Sequence, residues 1–413
     1  MFPKIISKKH IYLDYAATTP VDPAVLKVMA PFWSRLFGNP SGLYGQGREA
    51  KAAVESARKR IADVVGARPN EIIFTAGGTE SVNLAIFGSA RMNTDFKTDK
   101  HRKSSHIITT AIEHHCVLNS FKALEGEGYK TSLLKVDAKG LIDIRTLEKA
   151  IRPETILVSM MYANNEIGTI EPVAEIGKLL KKINAGRTRR GLTRILFHTD
   201  ACQAAGFLDL NVNKLGIDLM SVNGSKIYGP KQTGFLFVRN GVNLKPVIYG
   251  GGQERNLRSG TENVPGIAGL AKALEMADER RKLGNVENVE NGKLQKYFIS
   301  KLIKMPGVTL NGPAPDDRNR LVNNINVAIK NIEGEALMLY LDSYGISVST
   351  GSACSTGSGD TSHVLLALGR SQKQARSSIR FSLGKVTTKA ELDYVLKVLP
   401  GIIDQLRKTS SLE

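Results

Sequence analysis

A chain of 413 residues, 42% hydrophobic and 23% charged, is long enough for two domains with full cores and has the composition of an ordinary globular protein. The N-terminal stretch MFPKIISKKHIYLDY lacks the unbroken apolar core of a secretory signal, and no stretch of about 18 apolar residues occurs, so a cytoplasmic protein with no membrane contact is expected. The balance is strongly basic, +18 from 57 Lys and Arg against 39 Asp and Glu, and part of the excess is clustered in KTDKHRK (97–103) and KKINAGRTRRGLTR (181–194). Neither cluster interleaves aromatic residues and no nucleic-acid motif is present, so a solvated basic surface is the simpler expectation and RNA contact the alternative. The three cysteines, Cys116, Cys202 and Cys354, form no CxxC pair and no even framework, and so suggest neither disulfide staples nor a structural zinc.

Along the chain, short apolar runs alternate with helical stretches from near residue 45 to about 240. Helix is predicted over 47–66, then a strand at EIIFT (71–75), followed by strands at HIITT (106–110) and TILVSMMY (155–162). A helix over 173–183 leads to strands at RILFHTD (194–200), DLMSVN (218–223) and GFLFVR (234–239). Strands separated by helices imply an α/β fold with a mostly parallel sheet covered on both faces, and ligands in such sheets bind beyond the carboxyl ends of the strands. After the glycine-rich turn GGGQERNLRSGTEN (250–263) the pattern changes to a long helix (263–283), strand 321–329, helix 334–345, strands 346–350 and 377–383 and a last helix near 388–408. That order predicts a smaller α+β domain, with the division set at 16–262 against 1–15 plus 263–413.

The chemistry gathers at those strand ends. EIIFT runs into Gly77-Gly78-Thr79-Glu80-Ser81, where glycines and a helix N-terminus favour a phosphate. His114 and His115 follow HIITT, and either imidazole suits proton transfer near neutral pH. Asn164-Asn165-Glu166 follows TILVSMMY and offers an amide to a ring oxygen, with a plain Asx turn as the competing expectation. Asp200 and Gln203 end the run RILFHTDACQ, and Lys226 stands 26 positions after Asp200 in NGSKIYGPK, just past another apolar run. A buried lysine that attaches an aldehyde, with a carboxylate that keeps a pyridine nitrogen protonated, is what pyridoxal 5'-phosphate (PLP) requires. Ser225 offers a second hydroxyl to the phosphate. Cys116 and Cys202 lie in or beside apolar segments and read as inert core thiols, whereas Cys354 lies in STGSACSTGSGDTSH, a run so rich in Gly and Ser that a mobile loop and a reachable nucleophile are predicted. Arg380 is the lone cation of SSIRFSL, suited to grip a carboxylate, with a structural ion pair as the alternative.

These segments, together with YLDYAATTP (12–20), GNPSG, GGGQERNLRSGT and SSIRFSLG, resemble the cysteine desulfurases of the class V aminotransferase superfamily, the IscS, NifS and Nfs group of fold type I PLP enzymes. The resemblance spans nearly the whole chain. It implies a large domain with a mostly parallel seven-stranded sheet, a homodimer, and L-cysteine as substrate. By position it implies Lys226 as the lysine that attaches PLP, Asp200 on the pyridine nitrogen, Gln203 and Asn165 near the phenolic oxygen and His114 as the stacked acid/base. It further implies Gly78, Thr79 and Ser225 at the phosphate, Thr261 reaching the phosphate of the neighbouring subunit, Arg380 on the substrate carboxylate and Cys354 as sulfur acceptor. Asn165 would also touch the substrate. No resident metal is implied, Cys354 being the one point of contact for an iron-sulfur cluster in transit. The sulfur would serve an iron-sulfur scaffold, a sulfur-carrier protein or tRNA-thiolation enzymes.

The chain departs from the family where Ser-Gly-His-Lys is usual, reading Asn223-Gly224-Ser225-Lys226, and Tyr44 stands where a histidine is common. Selenocysteine lyase and class V aminotransferase activities remain open on Lys226 and Asp200 alone. A non-catalytic RNA- or carrier-binding protein on a PLP fold is the alternative from another class.

Overall fold

The computed structural model describes residues 6–7, 9–92, 105–282, 286–350 and 361–409. Twelve strands are labelled in chain order: β1 Ile11–Tyr12, β2 Ile72–Thr75, β3 His106–Thr110, β4 Lys130–Leu134, β5 Thr155–Ser159, β6 Leu196–Asp200, β7 Leu219–Asn223, β8 Gly234–Val238, β9 Val308–Leu310, β10 Asn324–Ile329, β11 Ile346–Ser347 and β12 Ser378–Ser382. Seven of them form one sheet in the order β2-β8-β7-β6-β5-β3-β4. β8 runs antiparallel to both its neighbours, and the other pairings are parallel.

β2, β3 and β8 are buried at every residue, which is why they read as unbroken apolar or small-residue runs. The edge strand β4, KTSLL, buries only Leu134 and carries no such signal, and it was not among the expected strands. The helix Gly45–Val65 turns Ala50, Val54, Ala57, Ile61 and Val65, at three- and four-residue spacing, into the apolar cluster that also holds Ile72 and Phe74 of β2, and it ends at Gly66, whose φ of 69° is left-handed.

The helix Val264–Lys282 packs Ile267, Leu270 and Leu274 into the same apolar cluster as the large sheet. The division expected at residue 263 is therefore not where the apolar packing divides: that helix belongs with the large sheet. A second core is built from Phe298, Leu302, β10, β12 and the helix Lys389–Thr409, and it recruits Ile11 and Leu13 from the N-terminal segment. Its sheet has the antiparallel order β12-β10-β9, while β1 pairs parallel with β11. β12 brings Arg380 opposite Asn326 of β10 and so carries a residue of the second core toward the carboxyl ends of β5 and β6.

Part of the basic surface expected over 181–194 is interior. Arg187 is buried and donates to the carbonyl oxygens of Thr193, Arg152, Pro153 and Thr155 at 2.7 to 2.9 Å, and Arg194 pairs with Asp218 at 2.5 Å. A guanidinium that makes four hydrogen bonds to backbone carbonyls closes loops rather than recruiting nucleic acid. The other cluster, 97–103, lies outside the described residues.

Candidate active site

A cavity of about 310 Å³ opens at the carboxyl ends of β5, β6 and β7. Its lining combines Gly78, Thr79, His114, Asn165, Asp200, Gln203, Asn223 and Lys226 with Arg380 from β12, so nine of the residues singled out in the sequence meet at one place. Two do not line it: Thr261 is exposed elsewhere, and the Ser225 hydroxyl donates to Asn223 Oδ1 at 3.1 Å. Cys354 lies outside the described residues.

The lysine and the aspartate are placed by strand register. Asp200 is the last residue of β6 and pairs with Ser221 of β7, from which a short 3₁₀ turn, Gly224–Lys226, delivers the lysine. Asn223 caps that turn, its Oδ1 accepting the Ser225 N–H at 3.0 Å. The Lys226 ammonium donates to the carbonyl oxygens of Ala16, at 3.0 Å, and Ala17. Gln203 donates to Ala16 O as well, at 2.8 Å, so the N-terminal segment YAAT forms one wall. Asp200 Oδ1 accepts the Cys202 N–H at 2.9 Å, which fixes its rotamer. Beneath it, His198 bridges Ser159 and Ser221 at 2.8 and 2.9 Å across β5, β6 and β7, and burial holds this imidazole neutral, its pKa near 4.

The opposite wall is a helix N-terminus. Gly77, with φ of 139°, lies in the left-handed range open to glycine and starts the helix Gly78–Ala90. A Cβ on Gly78 would come within 2.7 Å of Cys202 Sγ, so only glycine keeps this backbone close to the cavity. Backbone N–H groups at the start of a helix, with Thr79 beside them, form an anion cradle of the kind phosphate takes.

His114 caps the helix His115–Gly126 with its own ring: Nδ1 accepts the Cys116 N–H at 3.2 Å. An accepting Nδ1 puts the proton of the neutral ring on Nε2, and burial lowers the pKa in the same sense. This separates the two adjacent histidines, since His115 instead packs its ring on His363, centroids 4.6 Å apart, and is not part of the lining. Cys116 and Cys202, expected in the core, instead line the cavity; burial pushes both thiols well above their ordinary pKa, so each stays protonated.

Arg380 is buried, donates from Nη2 to Asp14 at 2.7 Å and from Nη1 to the Asn165 carbonyl at 3.0 Å, and retains an Nε without a partner among the described residues. Arg380 is thus half of a structural ion pair with Asp14 and also one of the residues that line the cavity. Asp14 itself was not among the expected site residues. Nor were Glu113 and Glu166, whose buried carboxyls are raised by desolvation to about 8 and about 7. The signal for Asp14 was present only in the motif YLDYAATTP, whose polar residue has no local reason to be at the site.

The aminotransferase class-V family model matches residues 11–395. The chain belongs to the aminotransferase class-V family. It is 47% identical over 409 residues to the cysteine desulfurase IscS of Clostridium botulinum, covering 98% of this chain and 97% of that protein. Among solved structures, a NifS-like protein superposes with a TM-score of 0.85 at 38% identity over 96% of this chain and all of that one. A structure of SspA in complex with cysteine gives 0.76, also at 38% identity, over 92% of this chain and all of that one. The fold is that of fold type I PLP enzymes, with the mostly parallel seven-stranded sheet beside a smaller α+β unit. The residues fit the cofactor of this family: a carboxylate at the end of β6, a lysine in the turn that follows the neighbouring β7, a glycine cradle that a Cβ would fill, and in the same lining an imidazole whose pKa burial lowers. Among the described residues no group of His, Cys, Asp and Glu is arranged to hold a metal ion, and no helix is long and apolar enough to cross a membrane.

Proposed function

We propose that this chain is a PLP-dependent cysteine desulfurase that converts L-cysteine to L-alanine and passes the sulfur to Cys354 as a persulfide. The observation that carries the reading is the convergence of Lys226, Asp200 and His114 with Arg380 in one cavity, in a chain related over almost its whole length to a cysteine desulfurase. Lys226 would hold the cofactor covalently, Asp200 its pyridine nitrogen, and Gly78, Thr79 and the helix N-terminus its phosphate. Asn165 and Gln203 would flank the ring oxygen. When bound, PLP supplies an electron sink for the pair released as bonds at the substrate Cα and Cβ break.

The protein's own residues divide the remaining work. Arg380 fixes the substrate carboxylate with the terminal guanidinium N–H donors not used by Asp14 and Asn165. Lys226, freed by the incoming amine, takes the α-proton. His114 carries a proton on Nε2 and can return one to the product. The Cys354 thiolate attacks the substrate sulfur: an S–S bond forms, the Cβ–S bond breaks, and the electron pair left on carbon is protonated. Cysteine and thiol thus become alanine and persulfide with no external oxidant or reductant. Cys116 and Cys202, held as thiols by burial, are unsuited to that attack, which leaves Cys354.

Two subunits complete the reading. Thr261 is exposed and follows a loop held rigidly by Glu254, Arg255 and Asn256, all left-handed (φ 44°, 58° and 62°), with Glu254 locked in a buried pair to Arg58 at 2.7 Å. Trp33, Phe37, Leu43 and Tyr249 are exposed aromatic or aliphatic side chains of the kind a homodimer covers. In that dimer Thr261 would serve the partner's phosphate. The sulfur would pass to an iron-sulfur scaffold, a sulfur-carrier protein or tRNA-thiolation enzymes, in the cytoplasm, where such thiols stay reduced.

The test is incubation of the purified protein with L-cysteine and a reductant. Alanine and sulfide are expected in equal amounts, with neither sulfide nor Cys354 persulfide from Cys354→Ala. A keto acid in place of alanine would move the chain to the aminotransferases. Turnover of L-selenocysteine alone would move it to the lyases.

A further inference from the structure

The described residues on either side of positions 351–360 are tied to the cavity itself. On the upstream side, Ser349 exchanges two backbone hydrogen bonds with Arg380, N to O at 3.2 Å and O from N at 2.7 Å. On the downstream side, Ser362 is buried, caps the short helix His363–Ala367 by accepting the Leu365 N–H at 3.2 Å, and donates to Glu166 Oε2 at 2.5 Å. Glu166 is no bystander to the site. It directly follows Asn165, its N–H donates to Asn164 Oδ1 at 2.8 Å, and its carbonyl accepts Asn326 Nδ2 at 3.1 Å. Next to Ser362, His363 Nε2 donates to the carbonyl oxygen of Glu113 at 2.9 Å, one residue before His114. Val364 and Leu365 then pack on Ile112, Met161 and Ile167, the residues beside those same loops.

We propose that Glu166, Ser362 and His363 are positioning residues for sulfur transfer, mooring the downstream end of the chain segment that bears Cys354 to the loops that present Asn165 and His114. The proposal rests on Cys354 being the sulfur acceptor. Its physical content is that the serine hydroxyl serves two partners at once, a helix N–H and a buried carboxylate. A short hydrogen bond between two buried groups is directional, whereas the apolar contacts of Val364 and Leu365 allow sliding. Arg380, which grips the substrate, and Ser349 set the upstream end by the same logic. Small misplacements of a reacting group cost rate rather than binding, so a mooring residue is recognised by kcat falling while KM stays.

Ser362→Ala in the PLP-loaded enzyme is expected to lower kcat for alanine formation about 10-fold. KM for L-cysteine and the bound PLP should stay within about twofold of wild type, and single-turnover mass spectrometry should show slower gain of sulfur at Cys354. Ser362→Thr, which restores the hydroxyl, should recover most of the rate. Glu166→Leu removes the bond without touching the helix cap and should match Ser362→Ala, which keeps the test open if loss of the cap harms folding; Glu166→Gln keeps an acceptor oxygen and should resemble wild type. An unchanged rate of sulfur gain at Cys354 in both Ser362→Ala and Glu166→Leu would overturn the proposal. So would a parallel loss of kcat, substrate affinity and PLP, which marks a merely structural bond. A wild-type enzyme that gains no sulfur at Cys354 sinks the parent reading and this proposal together, and that is seen before any variant is made.

Discussion

The floor and the rim of the cavity are built in opposite ways. The floor, Asp200, Asn223 and Lys226 with Gly78 opposite, comes from the ends of buried strands in one sheet, and register alone sets Asp200 beside Ser221. The rim pairs residues that the chain separates widely: Asp14 meets Arg380 across 366 positions, and Glu166 meets Ser362 across 196. A floor residue owes its place to a strand that would form whatever the site did, so removing its side chain removes chemistry. A rim residue owes its place to its partner, so its loss is shared with whatever it held.

The largest effect expected from this contrast is at the floor. Lys226→Ala should abolish covalent attachment of PLP, because no other amine lines the described cavity, and should reduce desulfuration by the several orders of magnitude typical of a lost nucleophile. The check is borohydride reduction followed by peptide mass mapping. A reduced adduct on another lysine would mean that the floor is not the attachment site. The sheet should be unaffected, since Lys226 sits in a turn after β7 and packs no core.

At the rim the expectation is graded. Arg380→Ala should raise KM for L-cysteine by one to two orders of magnitude, by loss of a charge-assisted contact to the carboxylate, with a smaller fall in kcat. It also strands the Asp14 carboxylate in a largely buried place, so some loss of thermal stability should accompany it. Asp14→Asn keeps the shape and leaves Arg380 charged, and should cost less in KM, about threefold to tenfold, through looser orientation. Steady-state kinetics on the two variants decides the matter. An Asp14→Asn effect equal to that of Arg380→Ala would mean that the ion pair, and not the arginine alone, is the unit that recognises substrate.

The same contrast explains what the sequence disclosed. Strands buried on both faces announce themselves as apolar runs, and motifs at their ends inherit that clarity, as at HTDACQ and NGSKIYGPK. β4 escaped because an edge strand with one buried residue has no such run. Arg380 stood out as a lone cation, but nothing near it names Asp14, since a pairing across two cores has no local signature. Arg187 misled for the converse reason: a cation in a basic run looks solvated, and only the fold shows its donors turned to four carbonyls. Ser362 and Glu166 are common polar residues in loops, and their bond exists only once the second core docks on the first.

The smallest expected effect lies where the floor departs from its relatives, at Asn223 and Ser225. A hydroxyl that donates to Asn223 Oδ1 at 3.1 Å has spent its one proton, and Ser225 does not line the cavity. Its remaining use toward a phosphate would be as an acceptor, which a phosphate oxygen does not want. Asn223 lines the cavity and accepts from both the N–H and the hydroxyl of Ser225, so it stiffens the turn that carries Lys226. Ser225→Ala should therefore change the rate of PLP loss on dialysis by less than about twofold, since it removes one neutral hydrogen bond whose other bond to the same Oδ1 survives. Asn223→Ala removes both bonds and uncaps the turn, and should speed PLP loss about threefold to tenfold, the size of a lost cap. PLP release followed by absorbance measures both. If Ser225→Ala proved the worse of the two, the hydroxyl must swing to the phosphate when PLP is bound, and the floor would be shaped by its ligand in the way that the rim is shaped by its partners.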